Sequence, residues 1–252
     1  MKFKDRNVLI TGGGRGIGKA IARAFAEEGA RVAINFRENK AAAKATVRSL
    51  PGKGHFAVKA DIRDPESARV LLDTVLAEFG RLHILVNNAG VYFHHPVEKC
   101  DYPQWLQAWK EVLDINLLAP ANLTYLAARH MMEQGGGRIV SVSSRGAFRG
   151  EPLAPAYAAS KAALNAMTQS LAQALAPHDI FLGLVAPGFV ETEMTREILE
   201  GPEGAAIRAQ SPLNRVATPE EVARAVTFLA EEGTEFLTGT IIDVNGASYL
   251  RS

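Results

Sequence analysis

Two side chains near the middle of the sequence could move a proton together. Tyr157 and Lys161 lie four residues apart at the start of an alanine-rich stretch of helical length, so both project from one face of the predicted helix. A free phenol has a pKa of about 10, and proton transfer near neutrality needs a pKa about three units lower, which corresponds to about 4 kcal/mol. An ammonium about 4 Å away supplies roughly this energy at an effective dielectric constant of about 20. The pair indicates a tyrosine activated by a lysine, although an ordinary exposed helix face would show the same spacing.

A glycine-rich turn near the start of the chain could bind an anion. The stretch 11–18 reads TGGGRGIG, follows a short apolar run and leads into a helix that begins near Ile17. Unpaired backbone N–H groups and the helix dipole would both face a phosphate there, although a glycine-rich turn without a ligand would read alike. Residues 13–19 also match the first seven letters of a nucleoside-triphosphate P-loop. Ala20 stands where that loop needs a Ser or Thr hydroxyl for Mg²⁺, so we expect neither a phosphotransferase nor a metal site.

The elements that must position these residues alternate along the chain. Short β-branched or aliphatic runs at 8–11, 31–36, 56–60, 84–87, 138–142, 180–186 and 240–244 are separated by amphipathic stretches. Gly29 is placed to end the first helix, while Asp64-Pro65 is placed to open a helix that runs to Phe79 and ends at Gly80. A further apolar helix is expected over 112–128. The pattern predicts one α/β domain over residues 1–252, a Rossmann-like, doubly wound parallel sheet of about seven strands with helices on both faces.

Composition narrows the classes of partner. The 252 residues are 47% hydrophobic and 22% charged, which suits a large core, and the net charge of +1 indicates neither a nucleic acid nor a membrane surface as partner. The apolar run at 8–10 is too short for a signal peptide, and the longer apolar stretches are interrupted by polar residues or Pro187-Gly188. The single cysteine, Cys100, excludes an intrachain disulfide. We expect a cytoplasmic protein.

Taken in order, these motifs and several others resemble those of the short-chain dehydrogenases/reductases over essentially the full chain. Asn116, Ser144, Tyr157 and Lys161 match the catalytic tetrad of that family residue by residue. The stretch 87–90, Asn-Asn-Ala-Gly, resembles the motif that braces the central sheet. The resemblance and the arginines discussed below imply these cofactor-binding residues: Gly12, Arg15, Gly16, Ile17, Gly18, Arg37, Asp61, Ile62, Asn88, Ala89, Gly90, Tyr157, Lys161, Pro187, Gly188, Val190 and Thr192.

The resemblance also implies a reaction. A carbonyl that accepts hydride needs a proton donor and a hydrogen bond to the developing alkoxide, and Tyr157 and Ser144 would supply these. Lys161 would hold the cofactor ribose as well, and Asn116 would hold a water that relays protons to the Lys161 amine. The family further implies a homotetramer.

The end of the second predicted strand indicates which cofactor is used. Relatives that depend on NAD place an acidic side chain there, whereas this strand ends Asn35-Phe36-Arg37. Arg15 and Arg37 are placed to bracket an adenosine 2′-phosphate, because guanidinium groups bind phosphate oxygens in a fork. Each arginine alone could be a surface charge, but together they favour NADP(H).

The substrate is less well indicated. Candidate pocket residues are the apolar Phe93, Phe148, Leu153, Phe189 and Met194, with His94 and His95 either adding polarity or lying on the loop surface. The stretch 186–194 resembles that of 3-oxoacyl carrier-protein reductases, but 134–137 and 178–179 lack the basic residues that hold the acidic carrier in those enzymes. We predict a reductase for a small-molecule carbonyl, with a carrier-linked 3-oxoacyl thioester as one candidate. The alternatives are a sugar, polyol or cyclic-ketone dehydrogenase, and a non-catalytic NADP-binding sensor or scaffold.

Overall fold

The computed structural model describes residues 1–193 and 195–251, and the described part contains the seven predicted strands. Each strand begins and ends within one residue of its predicted bounds. They are β1 Asn7–Ile10, β2 Arg31–Phe36, β3 Phe56–Lys59, β4 Ile84–Asn87, β5 Gly137–Val142, β6 Ile180–Pro187 and β7 Ile241–Val244.

The strands form one parallel sheet in the order β3-β2-β1-β4-β5-β6-β7. The chain moves outward in one direction from β1 to β3 and then crosses back to place β4 on the other side of β1. Leu9 of β1 pairs with Ala33 of β2 and Leu85 of β4 at this crossing. Doubly wound sheets bind ligands beyond the carboxyl ends of the strands at such a switch point.

Helices cover both faces of the sheet, as predicted. They are α1 Gly16–Glu27, α2 Lys40–Ser49, α3 Pro65–Phe79, α4 Tyr102–Leu113, α5 Ala119–Gln134, α6 Gly146–Arg149, α7 Pro155–Leu175, α8 Arg196–Glu200, α9 Gly204–Ala209 and α10 Pro219–Ala230. Side chains of α1 and α10 pack with Val8 and Ile10 on one face, while those of α3, α5 and α7 pack with Leu9 on the other. Successive residues of a strand point to opposite faces of the sheet, and all four residues of β1 are buried. Strand β1 is therefore covered on both faces.

Local signals set the helix ends where they were expected. The Asp64 carboxylate accepts a hydrogen bond from the Ser67 N–H at the start of α3, and Gly80 ends that helix with a φ of 73°. Gly29, just beyond α1, has a φ of 92°. A left-handed backbone of this kind favours glycine at both helix ends.

The helix expected over 112–128 is present but is interrupted by a π-helical turn. Helix α4 ends at Leu113, a π-helical turn spans Asp114–Leu118, and α5 begins at Ala119. Pro120 has no N–H to donate to the carbonyl of Asn116, four residues earlier, so a regular α-helical ladder cannot be completed there. The wider turn carries Asn116, and such single π turns often occur at functional sites.

None of the helices in the described ranges combines the length and the apolar character needed to cross a bilayer.

Candidate active site

A cleft of about 420 Å³ opens beyond the carboxyl ends of the central strands. The segments that follow β4, β5 and β6 form it together with the start of α1 and α7. Ten of the predicted site residues line it: Ile17, Asn88, Gly90, Ser144, Tyr157, Lys161, Pro187, Gly188, Val190 and Thr192. The topology therefore brings the proposed proton donor and residues from three distant motifs to one place.

Helix α7 positions the tyrosine and the lysine as predicted. Lys161 is only 4% exposed, and its Nζ donates a hydrogen bond of 2.8 Å to the carbonyl oxygen of Val142 at the end of β5. The same Nζ lies 5.8 Å from the centroid of the Tyr157 ring. The ammonium is thus anchored to the sheet beside the phenol.

Ser144 comes from the segment directly after β5 and faces the tyrosine. Its Oγ accepts a hydrogen bond of 3.0 Å from the Gly146 N–H, which orients the hydroxyl at the start of α6. A hydrogen bond between the Ser144 and Tyr157 side chains favours the tyrosinate. Two hydroxyl groups therefore converge on one point in the cleft, as stabilising a carbonyl oxygen requires.

Burial dominates the acid–base properties of the pair. It lowers the pKa of Lys161 to about 8, because the charged amine has lost its water. Burial also raises the pKa of Tyr157, and the Glu151 charge adds to this rise while the Ser144 hydrogen bond opposes it. Burial of the phenol therefore outweighs the Ser144 hydrogen bond. Lowering of the tyrosine pKa by the Lys161 ammonium stays a prediction.

Asn116 braces the cleft from the π turn. Its Oδ1 accepts from the Val91 N–H at 2.9 Å, and its Nδ2 donates to the Val91 carbonyl at 3.0 Å and to the Ser160 hydroxyl at 3.1 Å. The side chain therefore ties the segment after β4 to helix α7. The water relay implied by the resemblance stays a prediction.

The glycine turn forms a tight cradle at the start of α1. A Cβ on Gly18 would lie 2.3 Å from the Gly12 carbonyl oxygen, and Gly12 itself has a φ of 65° with its Cβ position 3.1 Å from the Ala89 Cα. No side chain in the described ranges caps the N-terminus of α1. The first N–H groups of the helix are therefore available to an anion.

Hydrogen bonds fix this cradle to the motif after β4. The Thr11 hydroxyl accepts from the N–H groups of Asn88 and Ala89, both at 3.0 Å, and the Asn88 amide donates to the Thr11 carbonyl at 2.9 Å. The Asn87 amide donates to Thr124 on α5 at 3.1 Å. The Asn-Asn-Ala-Gly motif thus braces the turn and the sheet, as the resemblance implies.

The residues expected at the adenosine end lie beyond β2 and β3. Arg37 is half-exposed and pairs with Glu38 at 2.8 Å, and the exposed Arg15 lies 3.8 Å from Glu193. Hydrogen bonds from Arg63 lower the pKa of Asp61, and the nearby Arg37 charge acts in the same direction. Ile62, which follows Asp61 in the sequence, is buried. Neither arginine is buried in an internal ion pair, so both can turn towards a phosphate.

The substrate wall differs from the one expected. Of the five predicted apolar residues only Phe189 lines the described cleft; Met194 lies outside the described residues. Phe93 and Leu153 are exposed at 40% and 43%, and the Arg251 guanidinium covers the Phe148 ring at 4.5 Å. None of these three side chains lines the cleft.

The two neighbouring histidines, His94 and His95, have different environments. His94 is exposed and lines the cleft, as one of the two expectations had it. His95 is 3% exposed, so the expectation of loop surface is wrong for it. Its Nε2 accepts from the Ala156 N–H at 3.1 Å and its Nδ1 donates to the Phe93 carbonyl at 2.9 Å, which sets the neutral tautomer. His95 thus caps the first turn of α7 at Ala156, the residue that precedes Tyr157.

Several cleft residues lie outside the recognised motifs. They are Tyr92, Arg145, Glu151, Glu197 and Ile198. Tyr92 packs edge-on against Tyr157 with ring centroids 5.0 Å apart, and burial raises its pKa to about 12. No recognised motif includes them; they lie in the segments that follow β4, β5 and β6.

Comparison with known proteins agrees with this geometry. The family model described as Enoyl-(Acyl carrier protein) reductase matches residues 12–247. An uncharacterised oxidoreductase of Methylorubrum extorquens is 36% identical over 249 residues, covering 97% of this chain and 98% of the relative. The 3-oxoacyl-[acyl-carrier-protein] reductase FabG of Escherichia coli is 36% identical over 251 residues, covering 99% of this chain and 100% of the relative.

A solved structure extends the likeness to three dimensions. The crystal structure of a short chain dehydrogenase from Burkholderia cenocepacia in complex with NADP has a TM-score of 0.88 and 33% identity, covering 98% of this chain and 99% of that one. The family match spans nearly the whole sequence, and the relatives are similar from end to end. Ser144, Tyr157 and Lys161 line one cleft with Ile17 of the glycine-rich stretch. The chain belongs to the short-chain dehydrogenase/reductase family.

Proposed function

We propose that the protein is an NADP(H)-dependent reductase that transfers hydride between nicotinamide and a carbonyl group or a secondary alcohol. The observation that carries this proposal is that Ser144, Tyr157 and Lys161 line one cleft together with the Pro187-Gly188 segment and the end of the glycine turn. A hydroxyl pair and an ammonium at the switch point of a doubly wound sheet are what carbonyl reduction needs from the protein.

The chain's own residues handle the proton. The Tyr157 hydroxyl donates its proton to the substrate oxygen during reduction, and the Ser144 hydroxyl donates a hydrogen bond to the same oxygen. The Lys161 ammonium, fixed by the Val142 carbonyl, stabilises the tyrosinate that remains. In alcohol oxidation the tyrosinate accepts the proton instead.

The cradle fits a dinucleotide. The uncapped start of α1 and the closely packed Gly12 and Gly18 leave room for a pyrophosphate, and Arg15 and Arg37 carry the charge that a 2′-phosphate requires. The other residues that would hold the cofactor are Gly16, Ile17, Asp61, Ile62, Asn88, Ala89, Gly90, Lys161, Pro187, Gly188, Val190 and Thr192. When bound, the nicotinamide supplies or accepts the hydride. The NADP complex of the Burkholderia cenocepacia relative supports this assignment.

NADPH consumption tests the proposal against a panel of acetoacetyl thioesters, sugars, polyol ketones and bulky cyclic ketones. Turnover that disappears in Tyr157→Phe is the expected result. NADPH binding without turnover on any of these carbonyls would instead support a sensor or scaffold. The intact pair of cleft hydroxyls argues against that second function, because a protein that only binds cofactor has no use for Tyr157.

A 3-oxoacyl thioester is one candidate substrate, supported by the similarity to FabG. The acidic carrier would need basic residues at its docking surface, and 134–137 and 178–179 contain no Lys or Arg. Addition of an acyl carrier protein to the thioester assay tests this point. A carrier-linked substrate should then be reduced with a lower KM than the free thioester.

We further propose that the enzyme works as a homotetramer in the cytoplasm. Helices α4 and α5 and the turn between them leave Leu106, Leu118 and Tyr125 at least half exposed, and an assembly would cover such apolar side chains. A single free cysteine, Cys100, suits a reducing compartment. Light scattering after gel filtration measures the assembly, for which four times the chain mass of 27.1 kDa is expected.

A further inference from the structure

Glu151 is a carboxylate in the substrate cleft that the catalytic motifs do not include. It lies between α6 and α7, its side chain is 19% exposed, and it lines the same cleft as Ser144 and Tyr157. The side chain lies across Gly146, where a Cβ would stand 2.8 Å from the Glu151 Oε1. A larger residue at position 146 would therefore push this carboxylate away.

The acceptor capacity of this carboxylate is unused within the described ranges. No N–H or O–H there donates a hydrogen bond to the Glu151 carboxylate, and the nearest cationic atom, Arg149 Nε, is 4.0 Å away. Arg149 is itself directed to Gln210, at 3.4 Å. Largely buried carboxylates normally have hydrogen-bond partners, so the oxygens of Glu151 are suited to accept from a ligand. Glu151 and Tyr157 line the same cleft, and the Glu151 charge adds to burial in raising the pKa of Tyr157.

The remainder of the cleft suits a neutral, polar molecule. Among its described lining residues, two cations, Arg145 and Lys161, are matched by two carboxylates, Glu151 and Glu197. Arg145 and Lys161 would repel an ammonium group on the substrate, and Glu151 and Glu197 would repel an anionic group. The walls are the aromatic rings of Tyr92 and Phe189, which can pack against C–H groups.

We infer that Glu151 selects ketones that carry a hydroxyl group on each of the two carbons next to the carbonyl, with its carboxylate accepting hydrogen bonds from those hydroxyls. This inference rests on the proposed reductase function and names its substrate class. A simple 3-oxoacyl thioester has no hydroxyl near its carbonyl, so it would bury Glu151 without a partner. Sites built to hydrogen-bond a hydroxyl reject analogues that lack it.

A matched pair of substrates measures this selection. Erythrulose and 1-hydroxybutan-2-one share the ketone and one hydroxyl, but only erythrulose has hydroxyls on the other side of the carbonyl. We expect the wild type, with NADPH, to reduce erythrulose with at least tenfold higher kcat/KM than 1-hydroxybutan-2-one or acetoacetyl-CoA. Glu151→Leu should lower the erythrulose preference at least tenfold, about 1.4 kcal/mol. Glu151→Gln, which keeps one oxygen acceptor, should fall between the two.

The ratio of the two ketones isolates the hydroxyl contact. Both are protonated by Tyr157, so any change in that tyrosine affects them equally. Glu98→Leu is the matched control, because Glu98 is exposed and does not line the cleft, and it should keep the wild-type ratio. Fluorescence titration with NADPH reports whether each variant is folded, and if Glu151→Leu is not, the Glu151→Gln ratio decides.

The possible failures can be told apart. A ratio unchanged in the Glu151 variants, or a wild type that prefers acetoacetyl-CoA, overturns the role of Glu151 while leaving a carbonyl reductase. A protein that binds NADPH and reduces another carbonyl of the wider panel but none of these three overturns this inference alone. A protein that binds NADPH and reduces no carbonyl of that panel overturns the proposed function as well.

Discussion

Lys161 carries a buried charge whose effect on stability can be measured. Its amine has one hydrogen-bond partner in the described ranges, the Val142 carbonyl, and its pKa is lowered from an ordinary value of 10.5 to about 8 by burial. At 1.36 kcal/mol per pH unit, that difference corresponds to about 3 kcal/mol of stability lost when the lysine is charged in the folded protein. Lys161→Met removes the charge and retains an unbranched apolar chain.

The sign of the effect depends on pH. In the unfolded chain the lysine keeps its ordinary pKa, so between pH 8 and 10.5 the unfolded state binds the proton that the folded state has released. Wild-type stability therefore rises across this window by up to about 3 kcal/mol from this residue, and below pH 8 the full loss is present. The Met variant lacks this dependence but leaves the Val142 carbonyl unpaired, at about 1 kcal/mol. We expect it to be about 2 kcal/mol more stable than wild type at pH 7 and about 1 kcal/mol less stable at pH 10.5.

Urea unfolding at a fixed protein concentration measures both values. Titrating groups that do not interact with Lys161 are common to the two proteins, so their contributions cancel in the difference between the unfolding free energies. Lys44→Met is the matched control, since Lys44 is exposed on α2, and its difference from wild type should be the same at both pH values. A Lys161→Met difference that does not change between pH 7 and 10.5 would refute the argument that this charge is held against burial.

Substitutions at three further positions test the site. Tyr157→Phe should fold and bind NADPH but lose nearly all carbonyl reduction in a steady-state assay, because only the phenolic oxygen is removed; wild-type turnover would exclude Tyr157 as the proton donor. Arg37→Asp should abolish a preference for NADPH over NADH in fluorescence titration, since each charge-assisted bond to phosphate contributes about 1.5 to 3 kcal/mol. His95→Ala should lower kcat more than it changes KM, because the Ala156 N–H loses its hydrogen-bond acceptor. His95→Gln should restore part of kcat, because its amide oxygen can accept that hydrogen bond. Equal kcat values in both variants would contradict the capping role.

The strands and most helix ends were predictable because their causes are local. Runs such as 31–36 are apolar and β-branched and lie between turn residues, and Asp64 and Gly80 act on the helix that they border. The π turn at Asp114–Leu118 has causes of two kinds. Pro120 is visible in the sequence, but the contact of Asn116 with the Val91 backbone joins segments that only the folded sheet brings together. A periodicity argument over 112–128 therefore predicts a helix and misses its interruption.

The proposed catalytic residues could be predicted from the sequence, whereas the orientation of the residues around them could not. Ser144, Tyr157 and Lys161 stand at strand and helix ends whose positions follow from the sheet order, so a motif locates them. The direction of Phe93, Leu153 and His95 depends on loop conformation, and each differs from the expectation. The pKa of Tyr157 depends on burial, which no spacing in the sequence reports.

This division bears on how the substrate can be inferred. The likeness to FabG extends over the whole chain and includes the scaffold that all members of the family need, so it supports the reaction more strongly than the substrate. Tyr92 and Glu151 lie outside that machinery, yet both act on Tyr157, one by ring packing and the other by its charge. A residue that contacts both the substrate space and the proton donor couples recognition to chemistry. For this chain the residues that line the cleft are therefore better evidence of the substrate than the motifs.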